Sequence, residues 1–237
     1  MTYQSLILAA GALASNEKSF YKCRTIVRTN ESLLEVCLDV FATSERVIIA
    51  VNPGDYEFFA DKKLAHNSRL VEISYPTQGA LATSGMCIDQ LEDDVPIIVS
   101  AVDGICFNVI DNFIITMKNS EADGGVIVFP SDNVNYSYVR VNQSIPIEFA
   151  EKSRIGALAT AGIYYFKNRE IFADAILWAI LNQVRYGGVY YFSSAMNKLI
   201  AEGMKVELFE VKEIDYYRFS TESESERSIL RLRGKIE

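Results

Sequence analysis

Four short apolar runs alternate with segments of helical periodicity in the first hundred residues. The runs are residues 6–10, 46–51, 70–73 and 96–100. A run that is apolar at consecutive positions suits a strand that is buried on both faces of a sheet. Strands that alternate with helices build a parallel sheet covered by helices on both sides. The sequence therefore predicts an α/β fold.

The intervening segments predict the helices, and the second half of the chain predicts further strands. Helices are predicted over residues 32–41, 56–65, 77–91, 169–181 and 192–202. Further strands are predicted over residues 125–129, 136–141, 162–166 and 205–211. Residues 1–220 are interpreted as one domain. Residues 220–226 are polar and low in complexity, and residues 221–237 are interpreted as a tail or as the start of a terminal helix.

Composition and charge exclude several classes of function. The chain has 237 residues and a formal net charge of -8, which disfavours general binding to nucleic acid. The first eleven residues lack a basic region and are too short to span a membrane, so no membrane association is predicted. Four cysteines without a CxxC pair indicate reduced thiols and a cytoplasmic protein. The only histidine, His66, lies in a polar stretch, which argues against a Ser-His-Asp hydrolase or a histidine-based zinc site.

Small residues follow the first predicted strand, at Ala9, Ala10 and Gly11, and Lys22 follows further along the chain. Small residues at such a strand end let a ligand approach the backbone, whose N–H groups bind a base or a phosphate. Lys22 would place a positive charge on the phosphates. The alternative interpretation is a tight strand exit and an exposed lysine.

Two further positions carry charge near predicted strand ends. Asp103 follows the apolar run at residues 96–100, where α/β sheets bind ligands and where a carboxylate suits Mg²⁺. Glu151 and Lys152 precede the strand at residues 162–166, where they would contact sugar hydroxyls and a phosphate. The alternatives are a turn cap for Asp103 and a surface ion pair for Glu151 and Lys152.

The order of these segments resembles the sugar-1-phosphate nucleotidyltransferase family, and in particular members found with genes for capsule and surface polysaccharides. The resemblance covers about residues 4–221. It is carried by residues 6–11, 77–83, 98–103, 136–139, 151–152, 159–166 and 190–200. It implies a Rossmann-like, glycosyltransferase-A-type three-layer sandwich with a mixed, mostly parallel central sheet. It also implies transfer of a nucleotidyl group from an NTP to a phosphorylated small molecule, with Mg²⁺ as cofactor. A homo-oligomer is compatible with the sequence.

The resemblance implies a role for each candidate residue. The base and ribose would lie against Ala9, Ala10 and Gly11, and Gly79 would line the base pocket. Lys22 would contact the triphosphate. Asp103 would hold Mg²⁺. Glu151 and Lys152 would meet the sugar phosphate, and Gly162 would lie near the sugar. Lys22, Asp103 and Lys152 are the predicted catalytic residues.

Two motifs depart from the family pattern. The first loop of the family reads A-A-G-x-G-[ST]-R, but Leu13 stands at the second glycine and Ser15 at the arginine. Lys18 or Arg24 are the predicted substitutes for that arginine. Near the C-terminus, Arg218 stands where many members have an aspartate, and Ser220 stands at a glycine.

These departures leave two alternatives to the nucleotidyltransferase. One is a non-catalytic relative that binds a nucleotide or sugar nucleotide, or that supports an assembly. The other is a glycosyltransferase of related fold, which would usually place two acidic residues as D-x-D. Asp103 is followed by Gly104 and Ile105 instead.

Overall fold

The computed structural model describes residues 2–11, 22–64 and 67–234. Within these ranges it contains thirteen strands and seven α-helices. The strands are β1 (Gln4–Leu8), β2 (Ile26–Arg28), β3 (Glu31–Ser32), β4 (Arg46–Val51), β5 (Ser68–Glu72), β6 (Ile97–Ala101), β7 (Gly104–Cys106), β8 (Gly124–Pro130), β9 (Tyr138–Asn142), β10 (Ile145–Ala150), β11 (Leu158–Phe166), β12 (Val206–Glu210) and β13 (Tyr216–Arg218). The helices are α1 (Leu33–Val40), α2 (Pro53–Ala60), α3 (Ala80–Gly85), α4 (Ile110–Asn119), α5 (Arg169–Leu181), α6 (Phe192–Ala201) and α7 (Glu222–Leu232).

The central sheet has nine strands. Seven of them follow the order β10-β9-β11-β6-β1-β4-β5, and β8 pairs with both β11 and β12. The strands β6, β1, β4 and β5 are parallel to one another, whereas β11 is antiparallel to β6. This mixed sheet with flanking helices confirms the predicted fold class.

The first and fourth predicted strands are neighbours, as expected from their shared apolar character. In the register of β1 and β6, Leu6 lies opposite Val99. Because side chains alternate across a strand, Leu6 and Leu8 enter one core, which also contains residues of α3, α5 and α6. Ile7 enters the other core, with residues of α1, α2 and α4. The apolar half of β1 therefore fills both cores, whereas Gln4 and Ser5 in its first half are buried polar residues.

Helix α2 begins three residues earlier than predicted. The segment Asn52-Pro53-Gly54 follows the end of β4 and at the same time starts the helix. The side chain of Asn52 accepts a hydrogen bond from the backbone N–H of Asp55, and Pro53 occupies the first turn. Proline suits that position because the N–H that it lacks would have no partner within the helix.

The predictions missed one long helix and several short strands. In α4, the buried residues Ile110, Phe113, Ile114 and Met117 recur at helical spacing, so the signal was present. The strands β7 and β13 have three residues each and pair with one another across more than a hundred residues. Strands this short carry no clear periodicity of their own.

Residues after 220 form helix α7, which begins with a reciprocal cap between Thr221 and Glu224. Ser225 and Ser228 on this helix are buried. The hydroxyl of Ser228 accepts from the backbone N–H of Arg218 and donates to its carbonyl oxygen, at 3.1 and 2.7 Å. Helix α7 therefore helps to hold β13, and with it the side chain of Arg218.

All four cysteines are buried and free. Burial raises the pKa of the Cys37 and Cys106 thiols to about 12 and that of Cys87 to about 11. No helix in the described part of the chain combines the length and the apolar character needed to cross a lipid bilayer.

Candidate functional site

The carboxyl ends of three parallel strands meet at one edge of the sheet. The backbone N–H of Val102, just after β6, donates to the carbonyl oxygen of Leu8 at 3.1 Å. The N–H of Ala9 donates to the carbonyl oxygen of Ala50 in β4 at 2.8 Å. Ala9, Ala10 and Gly11 therefore leave β1 on the same edge at which Asp103 leaves β6. This is the edge at which open α/β sheets bind ligands.

Lys22 and Asp103 form an ion pair at this edge. The Nζ atom of Lys22 lies 3.2 Å from Oδ2 of Asp103, and the two side chains are 37% and 26% exposed. The hydroxyl of Ser220 donates to the same Oδ2 atom at 3.0 Å. An ion pair with this exposure contributes little stability. Lys22 can therefore exchange the carboxylate for a phosphate at small cost.

Arg24 was one of two residues predicted to replace the family arginine that is missing at Ser15, but its side chain is already engaged. Its Nε atom is 2.6 Å from Oδ1 of Asp55, and its guanidinium lies 4.4 Å from the centre of the Phe58 ring. The other substitute, Lys18, and the departures at Leu13 and Ser15 lie outside the described residues, as does His66.

Gly79 precedes α3 and has a φ of +106°. A Cβ at this position would lie 2.4 Å from Cγ1 of Val189 and 2.5 Å from the carbonyl oxygen of Tyr190. Ala10 and Ala80 pack against the same core, which brings the start of α3 next to the end of β1. The structure therefore requires glycine here for packing, whether or not a base binds against it.

Glu151 and Lys152 follow β10. The Glu151 carboxylate accepts a hydrogen bond of 2.5 Å from the hydroxyl of Ser137, and Lys152 is exposed, with Nζ 5.8 Å from the centre of the Tyr191 ring. On β11, which is separated from β10 by β9, Gly162 has a φ of +75° within an irregularity of the register between Thr160 and Tyr164. These positions line the same part of the sheet, because Thr160 donates its backbone N–H to Ser137.

Burial raises the pKa of Glu151, although the hydrogen bond from Ser137 and the charges of Lys152 and Arg218 oppose the shift. A carboxyl group with a raised pKa binds its proton more tightly in the folded chain than in the unfolded chain. It therefore costs stability at pH values above both pKa values and costs none below them.

Glu151→Gln is expected to raise the melting temperature near neutral pH, and the gain should disappear as the pH falls through the raised pKa. Thermal unfolding between pH 3 and pH 8, roughly the range over which carboxyl groups titrate in proteins, measures this difference. Glu148→Gln is the matched control, because Glu148 is 45% exposed on β10, the strand that Glu151 follows. A gain in stability that is equal at every pH would contradict the role of charge burial.

Arg218 is held beside the Lys22–Asp103 pair. Its Nε atom donates to the hydroxyl of Ser220 at 3.1 Å, and that hydroxyl donates to Asp103. Its guanidinium lies 4.4 Å from the centre of the Tyr136 ring, and Nη1 is 3.2 Å from a carboxylate oxygen of Glu224. This last contact is an ion pair without hydrogen-bond geometry. A fixed positive charge thus stands where the resemblance expects a second acidic residue.

Arg218→Ala is expected to lower the free energy of unfolding by about 1–2 kcal/mol, from the lost cation–π contact and the lost hydrogen bond to Ser220. Urea unfolding measures the change. Arg140→Ala is the control, since Arg140 and its partner Glu148 are 50% and 45% exposed and should contribute less than about 0.5 kcal/mol. Equal losses in the two variants would contradict a stabilising contribution from the Tyr136 and Ser220 contacts of Arg218.

The donor set at Asp103 fits one Mg²⁺ ion that phosphates and water would complete. Oδ2 is engaged by Lys22 and Ser220, whereas Oδ1 accepts no hydrogen bond from the described residues. Mg²⁺ usually takes one or two carboxylates together with substrate phosphates. The described residues contain no group of three or more acidic, cysteine or histidine side chains that would form a metal cage without substrate.

The sequence did not predict that three further residues contribute contacts to this site. Ser220 was considered only as a departure from a glycine, yet it connects Asp103 to Arg218. Ser137 holds Glu151, and Tyr136 supports Arg218. A serine or tyrosine in a loop gives no sequence signal of such contacts.

The same arrangement of sheet and helices occurs in known structures. A nucleoside-diphosphate-sugar pyrophosphorylase of Vibrio cholerae RC9 superposes with a TM-score of 0.80 at 19% identity, over 94% of this chain and 99% of that one. This chain has the nucleotidyltransferase fold. An inositol-1-phosphate CTP transferase from T. maritima shares the nucleotidyltransferase fold with a TM-score of 0.72 at 15% identity, over 99% of this chain and 96% of that one.

A third structure with the nucleotidyltransferase fold is HddC from Yersinia pseudotuberculosis, which was solved with GMP-PN. Its TM-score is 0.71 at 15% identity, over 97% of this chain and 99% of that one. No protein-family model and no curated protein matches the sequence. The structural matches confirm the fold that the motifs predicted, and they cover nearly the whole chain.

Proposed function

We propose that the protein binds a nucleoside triphosphate at the carboxyl edge of the sheet and transfers its nucleotidyl group to a phosphorylated sugar or similar small phosphate ester. One observation carries this proposal. Lys22 and Asp103 are in contact at the strand ends, beside the small residues Ala9, Ala10 and Gly11. That edge offers a cation, a carboxylate and accessible backbone within one region, which is what a triphosphate requires.

The reaction needs positioning and neutralisation of charge more than covalent chemistry. An oxygen of the acceptor phosphate would attack the α-phosphorus in line. The new O–P bond would form as the bond to the β-phosphate oxygen breaks, and pyrophosphate would leave. Lys22 would neutralise the triphosphate, and Lys152 would hold the acceptor phosphate.

The remaining residues would select the substrates. Glu151 would accept hydrogen bonds from sugar hydroxyls, and Gly162 would leave room for the sugar. Gly79 would line the base pocket. Asp103 would hold Mg²⁺, which neutralises phosphate charge when it is bound. A role in supplying precursors for surface polysaccharides, in the cytoplasm, is proposed from the motif resemblance alone.

A second candidate is a non-catalytic protein that binds a nucleotide or sugar nucleotide. It is favoured by the engagement of Asp103 with both Lys22 and Ser220, and by the positive charge of Arg218 close to that carboxylate. Losing one charge contact on a transferring group typically costs about 3–4 kcal/mol of transition-state stabilisation. Such a loss would slow turnover strongly while leaving ground-state binding in place.

A thermal-shift panel of NTPs and sugar nucleotides, with and without Mg²⁺, tests the proposed site. A ligand that binds the folded state raises the melting temperature by mass action. We expect an NTP to raise it more with Mg²⁺ than without. Stabilisation by sugar nucleotides alone would favour the non-catalytic candidate. No stabilisation by any nucleotide would contradict both functions.

A further inference from the structure

We propose that Asp55 is a positioning residue that holds Lys22 at the phosphate-binding edge. This inference rests on the proposed function and extends it to a residue outside the candidate site. Asp55 lies in the first turn of α2, directly after β4, and its side chain is 1% exposed. Helix α2 follows β4, which pairs with β1, so Asp55 is held next to the central sheet.

Asp55 binds both residues that follow Lys22 in the chain. Oδ2 accepts the Cys23 thiol at 2.9 Å, and Oδ1 pairs with Nε of Arg24 at 2.6 Å. Asn52, the N-cap of α2, donates to Oδ2 at 2.7 Å and so fixes the carboxylate itself. Two successive contacts determine the direction of the 3-10 turn that contains Lys22.

An acid in the first turn stabilises α2, but that role does not require the contacts of Asp55 with Cys23 and Arg24. Removing a charged pair from water costs about as much as the pair regains, and an apolar pair of similar volume is often at least as stable. Asp55 nevertheless binds through both carboxylate oxygens, beside a candidate phosphate-binding lysine. The direction that it imposes is the one in which Lys22 reaches Asp103.

Asp55→Asn retains the volume of the side chain and removes the charge. The first readout is the acylation rate of the Lys22 amine, followed by mass spectrometry, because this rate needs no ligand. In the parent protein the contact with Asp103 should protect Lys22. In Asp55→Asn the turn is less constrained, and the acylation rate should rise several-fold.

The second readout is the affinity for Mg²⁺ and inorganic tripolyphosphate, a probe that reports on phosphate contacts without a base. Asp55→Asn should weaken binding about tenfold, as expected when a charged group is misplaced. In a Lys22→Gln background the same change should have no further effect, since Asp55 acts through Lys22. A purely structural role would weaken binding by the same factor in both backgrounds.

Asp123→Asn is the matched control. Asp123 pairs with Lys167 at 3.1 Å, at the amino end of β8 and away from the site. It should change neither readout at Lys22. If Asp55→Asn does not fold, Cys23→Ala removes one of the two links and should raise the acylation rate to a lesser extent.

An unchanged acylation rate of Lys22 in a folded Asp55→Asn protein would overturn the positioning role. An equal loss of tripolyphosphate affinity from Asp55→Asn in the parent and in the Lys22→Gln background would overturn it too. Failure of the parent protein to bind either tripolyphosphate or any NTP would instead refute the proposed function. The acylation rate would still decide the role of Asp55.

Discussion

Asp103→Ala is expected to remove the Mg²⁺-dependent part of NTP affinity and to lower any nucleotidyl transfer by about two to three decades. The reason is that Asp103 lies beside Lys22 at the strand ends and offers Oδ1, which accepts no hydrogen bond from the described residues. Isothermal titration with and without Mg²⁺ measures the loss of affinity. Without Mg²⁺, the variant should bind at least as well as the parent, because the ion pair that engages Lys22 is gone.

Asp132→Ala serves as the control for Asp103→Ala, since Asp132 is an exposed acid paired with Arg154 at the surface. Its NTP affinity should match that of the parent in both conditions. An equal response to Mg²⁺ in Asp103→Ala and in the parent would exclude Asp103 as a metal ligand.

Gly79→Ala is expected to lower the free energy of unfolding by about 3 kcal/mol. The added methyl group would overlap the backbone of Tyr190 and the side chain of Val189, at a φ that side chains rarely adopt. For a chain of this length, that loss corresponds to a fall of about 6–12 °C in melting temperature. Differential scanning calorimetry measures it directly.

Gly11→Ala is the control for Gly79→Ala. It tests whether any glycine at this edge of the sheet is intolerant of substitution, or only one that is closely packed. No described atom lies within 4 Å of the position that its Cβ would take, so stability should change little. Its NTP affinity should fall if the backbone at Gly11 approaches the nucleotide. A Gly79→Ala protein as stable as the Gly11→Ala protein would contradict the close packing of α3 against Tyr190.

Sequence patterns predicted those elements whose packing is local and strongly periodic. Strand β4 and helix α5 have the predicted bounds, because an apolar run on both faces and a long apolar segment that begins after Asn168 each carry their own signal. The edge of the sheet that carries Ala9 and Asp103 was predicted for the same reason. The position of this edge follows from the alternation of strands and helices and does not depend on the conformation of the loops.

The contacts that build the site could not be predicted in this way. Ser220 reaches Asp103 across 117 residues, and β13 pairs with β7 over a similar separation. Neither contact leaves a periodic trace, because each depends on how distant segments meet. Asp55 is similar: in the sequence it is one acid near the start of a helix, and only the fold brings it to Cys23 and Arg24.

The release of pyrophosphate from NTPs, measured with a panel of sugar phosphates in the presence of Mg²⁺, tests the central claim most directly. Pyrophosphate should appear only when an NTP, a phosphorylated acceptor and Mg²⁺ are all present, and Lys152→Gln should raise the acceptor concentration that is needed. Asp103→Ala should release little or none. Fast release that survives Asp103→Ala, or no release with any pair of substrates, would contradict a nucleotidyltransferase that works through this edge of the sheet.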